Sequence, residues 1–411
     1  MLFSNKIIRE DVNMKNKKLY KLEDIINIRN LYNSFYKCTP CKLHKKSVVA
    51  FNAYKNKRIH LIYEKFYSED GYKINDLYHH ILNERGKARL ISSLTITDRL
   101  VQKAFNTYFL LPAFMPTLIY DNAASLKGRG TTFAHKRLRK HLCNMYDECC
   151  GNDFYYLKID IKSYFDNIPH EYIYNLITKH TNDDRILLYF RALLNIYKED
   201  EYIGYNDIDP NYGIGLGGEI PQTFGILCLN ELDHMITEKF GYHKYIRYMD
   251  DIIILGKNKK DLENLLIEVD NYLKSISLEI NYKKTKIAHI KESLIFLKTK
   301  YSIDENRKLY AKINKEKIKK FRRKLNKFRN LYINNKISIY DIYMSIQSTL
   351  SSYMIASTDG YAYRNKAINL FIEYFLKIDR DLLTNDQIDE LYLFTNDYVR
   401  EIDNHKLSVV F

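Results

Sequence analysis

Tyr248-Met249-Asp250-Asp251 lies between Tyr245-Ile246-Arg247 and the apolar run Ile252-Ile253-Ile254-Leu255. β-Favouring residues on both sides of two adjacent carboxylates predict a strand-turn-strand hairpin with the charges at its tip. Such a pair repels itself. Its placement between two strands makes sense when a divalent cation sits there, and hard carboxylate oxygens suit Mg²⁺. A solvated hairpin tip can carry the same residues, so the tetrapeptide alone only suggests a metal site.

Upstream, Phe154-Tyr155-Tyr156-Leu157-Lys158-Ile159-Asp160-Ile161 predicts a buried strand ending in a carboxylate, and the residues from Ser163 to Pro169 turn out of it into a helix from His170. A carboxylate at the end of a buried strand needs a partner. A metal shared with Asp250 supplies one.

The 411 residues are enough for two or three domains, and 46% apolar residues with 14% aromatics fill a sizeable core. Lys and Arg total 65 against 50 acids, a formal charge of +15 that favours nucleic acid or an acidic membrane surface. No run approaches the roughly 18 apolar residues of a membrane span. The first residues, with Lys6, Arg9, Glu10 and Asp11, lack the apolar centre of a signal peptide. The expectation is a cytoplasmic protein without a membrane partner. Six scattered cysteines fit a reducing compartment. Cys38-Thr39-Pro40-Cys41 followed by His44 lacks a second ligand pair and reads as ordinary thiols.

Residues 1–60 predict a small helical extension, with Leu22, Ile25, Ile26, Ile28 and Leu31 on one face. In Arg85-Gly86-Lys87-Ala88-Arg89-Leu90-Ile91 a turn feeds a strand with Lys87 and Arg89 on one side, a pair suited to a triphosphate or to a solvated strand face. A helix over 98–111 is expected to end at Pro112 and Pro116. Residues 127–132 place backbone amides and Arg129 at the start of a basic helix over 133–142, a favourable anion site without Walker spacing. Four glycines between Gly213 and Gly218 suit close approach to a flat ligand or duplex. One long helix over 221–240 follows.

Beyond the acidic hairpin the pattern predicts a helix over 259–278, a strand over 287–290 and one further strand over 293–301. The alternation reads as a split βαβ sheet of the α+β class with helices on one face. Residues 312–330 then form a helix whose Lys315, Lys319, Arg322 and Arg323 belong to a cationic face opposite Ile318, Phe321 and Leu325. Such a rail suits a polyanion. Helices over about 337–356 and 363–378 complete an all-helical module.

Together these stretches resemble the bacterial reverse transcriptases, the RNA-directed DNA polymerases of retrons, group II introns, diversity-generating retroelements and phage-defence systems. The likeness is carried by Lys87-Ala88-Arg89-Leu90-Ile91 with Asp98-Arg99-Leu100-Val101-Gln102, by Leu157 through Asp166, by Tyr248-Met249-Asp250-Asp251 and by Asn281 through Thr285, in order over roughly residues 80–375. It implies a right-hand polymerase fold: an N-terminal extension over 1–60, fingers over 61–158, palm over 159–302 with finger elements around 180–215, a helical thumb over 303–380 and a tail over 381–411.

The resemblance further implies two Mg²⁺ ions, with Mn²⁺ as a substitute, held by Asp160, Asp250, Asp251 and the Ile161 carbonyl. It makes Lys87 and Arg89 triphosphate ligands, Phe165 a barrier to a ribose 2′-hydroxyl, and Lys284 a proton donor to pyrophosphate or a phosphate contact. Its partners are an RNA template or structured non-coding RNA, the DNA product and dNTPs, with an accessory protein or oligomer left open. Aligning Asn230-Glu231-Leu232-Asp233 with the family's own Asn-Glu-Leu-Asp puts Gly217 at a motif glycine, Leu216 where relatives carry glutamine, and Gln222 at the end of a Ser-Gln step that reads Pro-Gln here. An apolar residue at that position is a feature of the diversity-generating class, where nucleotide selection is relaxed. Phe296-Leu297-Lys298 departs from the Phe-Leu-Gly of many primer grips. The implied role is DNA synthesis in phage defence with a non-coding RNA. The alternatives are a diversity-generating enzyme, an untemplated or protein-primed DNA polymerase, an RNA-templated RNA polymerase, and a non-catalytic RNA-binding scaffold.

Overall fold

The computed structural model describes residues 18–40, 42–75, 77–84, 87–198, 211–215, 218–313, 315–356 and 360–393. Helices Ile28–Cys38, Lys46–Ala53 and Lys55–Tyr67 form the extension, and the first is capped by Asn27, whose side chain accepts from the Asn30 amide. A hairpin of β1 (Tyr78–Glu84) and β2 (Lys87–Ser93) follows, then the helix Ile96–Phe105, capped by the Thr95 hydroxyl. That helix runs on without a break as a π-turn over Asn106–Leu110 and a further turn over Leu111–Phe114. Pro112 falls directly after the π-turn, where the altered hydrogen-bond pattern accommodates it, so it does not end the helix where the sequence suggested.

The central sheet contains β3 (Tyr155–Asp160), β4 (Tyr245–Tyr248), β5 (Asp251–Gly256) and β6 (Lys286–His289) in the antiparallel order β4-β5-β3-β6. With β5 inserted between β3 and β4, this is the split βαβ arrangement expected. The covering differs from expectation, because both faces are packed. Ile252 and Ile254 face a core with Leu157, Ile159, Phe190, Phe224 and Leu265, whereas Ile253 and Leu255 face Leu138, Leu142, Phe154 and Tyr301. Four consecutive apolar residues in β5 are the sequence mark of a strand buried on both sides. The second face is covered by the helix Thr131–Glu148 and by a separate three-stranded sheet of β7 (Leu294–Phe296), β8 (Thr299–Ile303) and β9 (Leu309–Ile313).

Two predicted elements are therefore divided. The single strand over 293–301 is the β7-β8 hairpin, whose two-residue turn has Leu297 at φ 46° and Lys298 at φ 66°. Positive φ at both positions is the hairpin-matching geometry normally announced by Asn-Gly, and Leu-Lys carries no such signal. The helix over 221–240 is Glu219–Leu227, a break at Cys228 and Leu229, then Asn230–His234 and a π-turn over Met235–Lys239. Helices Lys315–Ile333, Ile339–Ala356 and Gly360–Leu376 form the C-terminal module around Phe321, Leu325, Ile342, Ile346, Phe371 and Phe375. Among the described residues no helix is long and apolar enough to cross a membrane.

Candidate active site

Strand register gathers the carboxylates. Asp160 pairs with Asp251, and Asp251 also pairs with Tyr248, so Met249 and Asp250 form a two-residue turn beside the end of β3. Met249 sits at φ 55°, a left-handed conformation that costs a side-chain-bearing residue about 1–2 kcal/mol. Strain of this kind persists only where neighbours hold it.

Arg247 is the neighbour that holds it. Its guanidinium is fully buried, and Nε donates to Asp233 Oδ1 at 2.7 Å while Nη2 donates to Asp233 Oδ2. Nη2 also reaches the Ile226 carbonyl at 3.0 Å, and Nη1 reaches the Met249 carbonyl at 3.3 Å. Tyr245 completes the set by donating its hydroxyl to Asp233 Oδ1. Asp233 thus ties the strained turn to the break that divides the helices on either side of Leu229. In the sequence Asp233 served only to set an alignment, and Arg247 had no assigned role. An arginine on a strand buried on both faces was the available signal.

Asp160 is held from the other side. Its Oδ2 accepts from Asn281 Nδ2 and from Lys284 Nζ, both at 3.0 Å, and its carbonyl accepts from the Asn281 amide at 2.8 Å. Beyond it, Ile161 faces Ile280, flanked by the bonds Asn281 N to Asp160 O and Lys162 N to Glu279 O. That pattern makes residues 161 and 280 a non-hydrogen-bonded pair and turns the Ile161 carbonyl away from Ile280, toward the strand edge that β5 and its turn occupy.

Asp251 is flanked by a second ammonium. Lys158 Nζ lies 3.2 Å from Asp251 Oδ1 but is aligned on the Ile295 carbonyl at 2.9 Å, leaving Oδ1 buried without a hydrogen-bond donor. Lys158 is two residues before Asp160 and so shares its face of β3. Burial pushes the Asp251 carboxyl up to about 6, Lys158 opposes that rise, and the charges of Asp250 and Asp160 add to it. Among the described residues no three His, Cys, Asp or Glu side chains converge as a closed metal nest. An orphaned carboxylate oxygen and three Asp residues at one strand end nevertheless suit a hard divalent cation, and Lys284 and Lys158 lie beside Asp160 and Asp251 at the same end.

Phe165 follows Ser163, which is left-handed at φ 43°, and lies against Gly225, where a β-carbon would stand 3.2 Å from its ring. Tyr164 donates its hydroxyl to the Gly225 carbonyl at 2.6 Å, fixing the loop to the helix Glu219–Leu227. Gln222 on that helix is exposed. Leu216 and Gly217, and the side chains of Lys87 and Arg89, lie outside the described residues. Arg129 is half-buried and donates to the Ile119 and Asn122 carbonyls at 3.1 and 2.8 Å, which brings it to the loop beside Arg247. Lys315, Lys319, Arg322 and Arg323 are exposed on the C-terminal helix, distant in sequence from the carboxylates.

The family described as "Reverse transcriptase (RNA-dependent DNA polymerase)" matches residues 79–331. Protein YkfC of Escherichia coli is 24% identical over 258 residues, covering 53% of this chain and 64% of that protein. Protein P of chimpanzee hepatitis B virus is 24% identical over 204 residues, covering 48% of this chain and 20% of that protein. The chain thus spans less than two thirds of the length of either relative. Among solved structures, a telomerase from Candida albicans superposes with a TM-score of 0.43 at 10% identity, over 78% of this chain and 66% of that one.

Proposed function

Because the chain belongs to the reverse transcriptase family, with the right-hand polymerase fold, we propose that it is an RNA-directed DNA polymerase that extends a primer 3′-hydroxyl with dNTPs. The observation that carries the reading is the register that sets Asp160, Asp250 and Asp251 at one end of β3 and β5 beside Lys158 and Lys284. The palm runs over 159–302, the fingers precede it, and the region from 303 to 380 is the thumb, which is not helical throughout as expected but opens with β9 and becomes helical from Lys315.

Asp160, Asp250, Asp251 and the Ile161 carbonyl would hold two Mg²⁺ ions, or Mn²⁺ in their stead, and the chemistry such ions would supply there is activation of the primer hydroxyl and charge neutralisation at the leaving pyrophosphate. The chain's own residues do the rest. Arg247 and Asp233 keep the Asp250 turn in place, and Asn281 orients the Asp160 carboxylate. Lys284, released from Asp160, delivers its charge or a proton to the leaving phosphate. Lys87 and Arg89 grip the triphosphate. Phe165, backed by Gly225 and unable to retreat, excludes a 2′-hydroxyl. The biological role proposed is antiviral defence with a structured RNA; the alternative is a diversity-generating enzyme of low fidelity, the reading that Leu216 favours.

Primer extension on an RNA template with separate dNTP and NTP pools tests the reading. Incorporation from dNTPs alone, lost in Asp250→Ala with Asp251→Ala, is expected. Equal extension with NTPs would remove the role given to Phe165, and activity in the double variant would overturn the site.

A further inference from the structure

Where the N-terminal extension meets the helix Ile96–Phe105, a cavity of about 440 Å³ opens to solvent. Its lining sets Lys37, Lys42, Arg99 and Lys103 around one acid, Glu219. Glu219 is already engaged: its Oε1 accepts from Lys103 Nζ at 2.7 Å and from Asn106 Nδ2 at 2.8 Å. The excess positive charge therefore rests on Lys37, Lys42 and Arg99, all exposed around the opening. A positive rim alone describes many solvated surfaces.

The wall supplies a second, independent observation. Gln102 is 2% exposed, and its Nε2 is buried with no hydrogen-bond partner. An unmet buried donor costs about 1–3 kcal/mol, and a native protein keeps one where a ligand or water completes it. Its other atom is spoken for by packing, since a β-carbon at Gly218 would fall 3.0 Å from Gln102 Oε1 and 2.9 Å from Pro221 Cδ. Glycine at 218 thus lets the backbone close over the Gln102 carbonyl oxygen, and the amide N–H₂ stays unpartnered in a residue of the cavity wall. The volume falls in the range of about 300–1,000 Å³ that small-molecule sites occupy.

We infer that this cavity is a binding site for a nucleoside 5′-phosphate. Phosphate oxygens take the Lys37, Lys42 and Arg99 charges, and an acceptor on the base edge takes the Gln102 amide. The inference rests on the proposed nucleic-acid function and adds a ligand site to it. The site borders the point of synthesis: Gly218 and Glu219 directly follow Leu216 and Gly217, and Glu219 lies six residues, about 9 Å along the helix axis, from the Gly225 that backs Phe165. The nucleotide can be free or the 5′-phosphorylated end of an RNA strand, because the recognising chemistry is the same.

Fluorescence anisotropy with the full chain, in EDTA so that divalent-dependent dNTP binding is absent, compares one short RNA bearing a 5′-phosphate with the same RNA bearing a 5′-hydroxyl. Competitors are a nucleoside monophosphate, the nucleoside and tripolyphosphate. At least a tenfold preference for the 5′-phosphate, or competition by the monophosphate and not the nucleoside, is expected, and Lys42→Ala with Arg99→Ala should abolish it. Competition by the monophosphate assigns the site to free nucleotide; a preference seen only on RNA assigns it to a strand end. Equal binding of both RNAs without monophosphate competition overturns the inference, as does an unaffected double variant with unchanged melting. Tripolyphosphate competing as well as the monophosphate overturns the part given to Gln102. Primer extension run in parallel separates the claims: wild type that extends primers without this preference sinks the cavity alone, and wild type that shows it without extending primers sinks the polymerase alone.

Discussion

The end of the central sheet and the outer face of the helix Lys315–Ile333 both concentrate charge, and they do so in opposite ways. At the sheet end every charge is fixed by partners: Arg247 by Asp233, Asp160 by Asn281 and Lys284, and Asp251 by Lys158. On the helix Lys315, Lys319, Arg322 and Arg323 extend into solvent, and the only ion pair described for these four is Lys319 with Glu316 at 3.8 Å. Fixed charges in a low-dielectric setting serve one geometry, while exposed ones act as a screened field. Single substitutions should therefore be severe in the first region and nearly additive in the second.

The largest effect belongs to Asp250→Asn. Primer extension should fall by at least about 10³-fold, beyond the 10²–10³ lost with a single oriented hydrogen-bond donor. A melting temperature within a few degrees of wild type would show that the loss is chemical. Next is Arg247→Met, which strands the buried Asp233 carboxylate and should cost about 3–5 kcal/mol in urea unfolding. Adding Asp233→Leu should restore much of the stability, because both charges are then gone. It should not restore extension, because the Met249 carbonyl loses its anchor. Recovery of both would show that the pair matters only for folding and would weaken the contrast between the regions.

What could be read from the sequence divides along the same line. The strands carrying Asp160 and Asp250, their order in a split βαβ sheet and the cationic helix were all legible, because buried strands and basic helices leave marks within a few residues. The Arg247–Asp233 pair was not, because its partners are 14 residues apart, one on a helix and one on the strand β4 that follows it. Lys158 was hidden for a related reason: its role appears only when β3 and β5 are in register. The Leu297-Lys298 turn and the second covered face of the sheet needed tertiary packing to overrule local preference.

Between the two regions lies His135, buried on the helix Thr131–Glu148 with Nδ1 2.5 Å from the Tyr301 hydroxyl. Burial first, then the charges of Arg139 and of Lys317 on the helix Lys315–Ile333, together lower its pKa to about 4. A base whose folded pKa lies below its unfolded value of about 6.5 binds more protons unfolded. The His135 contribution is thus full above pH 6.5 and declines as pH falls toward 4, by about 3 kcal/mol in total. Asp251, whose carboxyl burial lifts to about 6, contributes the opposite slope over the same window, so the test is the difference in urea unfolding between wild type and His135→Gln, which should shift steadily against wild type as pH falls from 6.5 toward 4. A difference that stays constant with pH would mean that the boundary carries no charge strain and that the module's cations do not reach the sheet.

The smallest effects are expected on the rail, where their form matters more than their size. If Lys319, Arg322 and Arg323 meet phosphates, each change to Gln should weaken binding to a primer-template duplex by the same modest factor whatever its sequence. Each should also reduce the slope of log K against log salt by about 0.9 for every phosphate no longer neutralised, because one counterion fewer is released. The three effects should add, since among the described residues these side chains share no partner. Binding measured between low and moderate salt gives the slope directly. A triple variant with the wild-type slope would leave the rail as a solvated helix face. One variant with most of the effect would mean that a fixed interaction is hidden there, and the helix would then resemble the sheet end it is contrasted with.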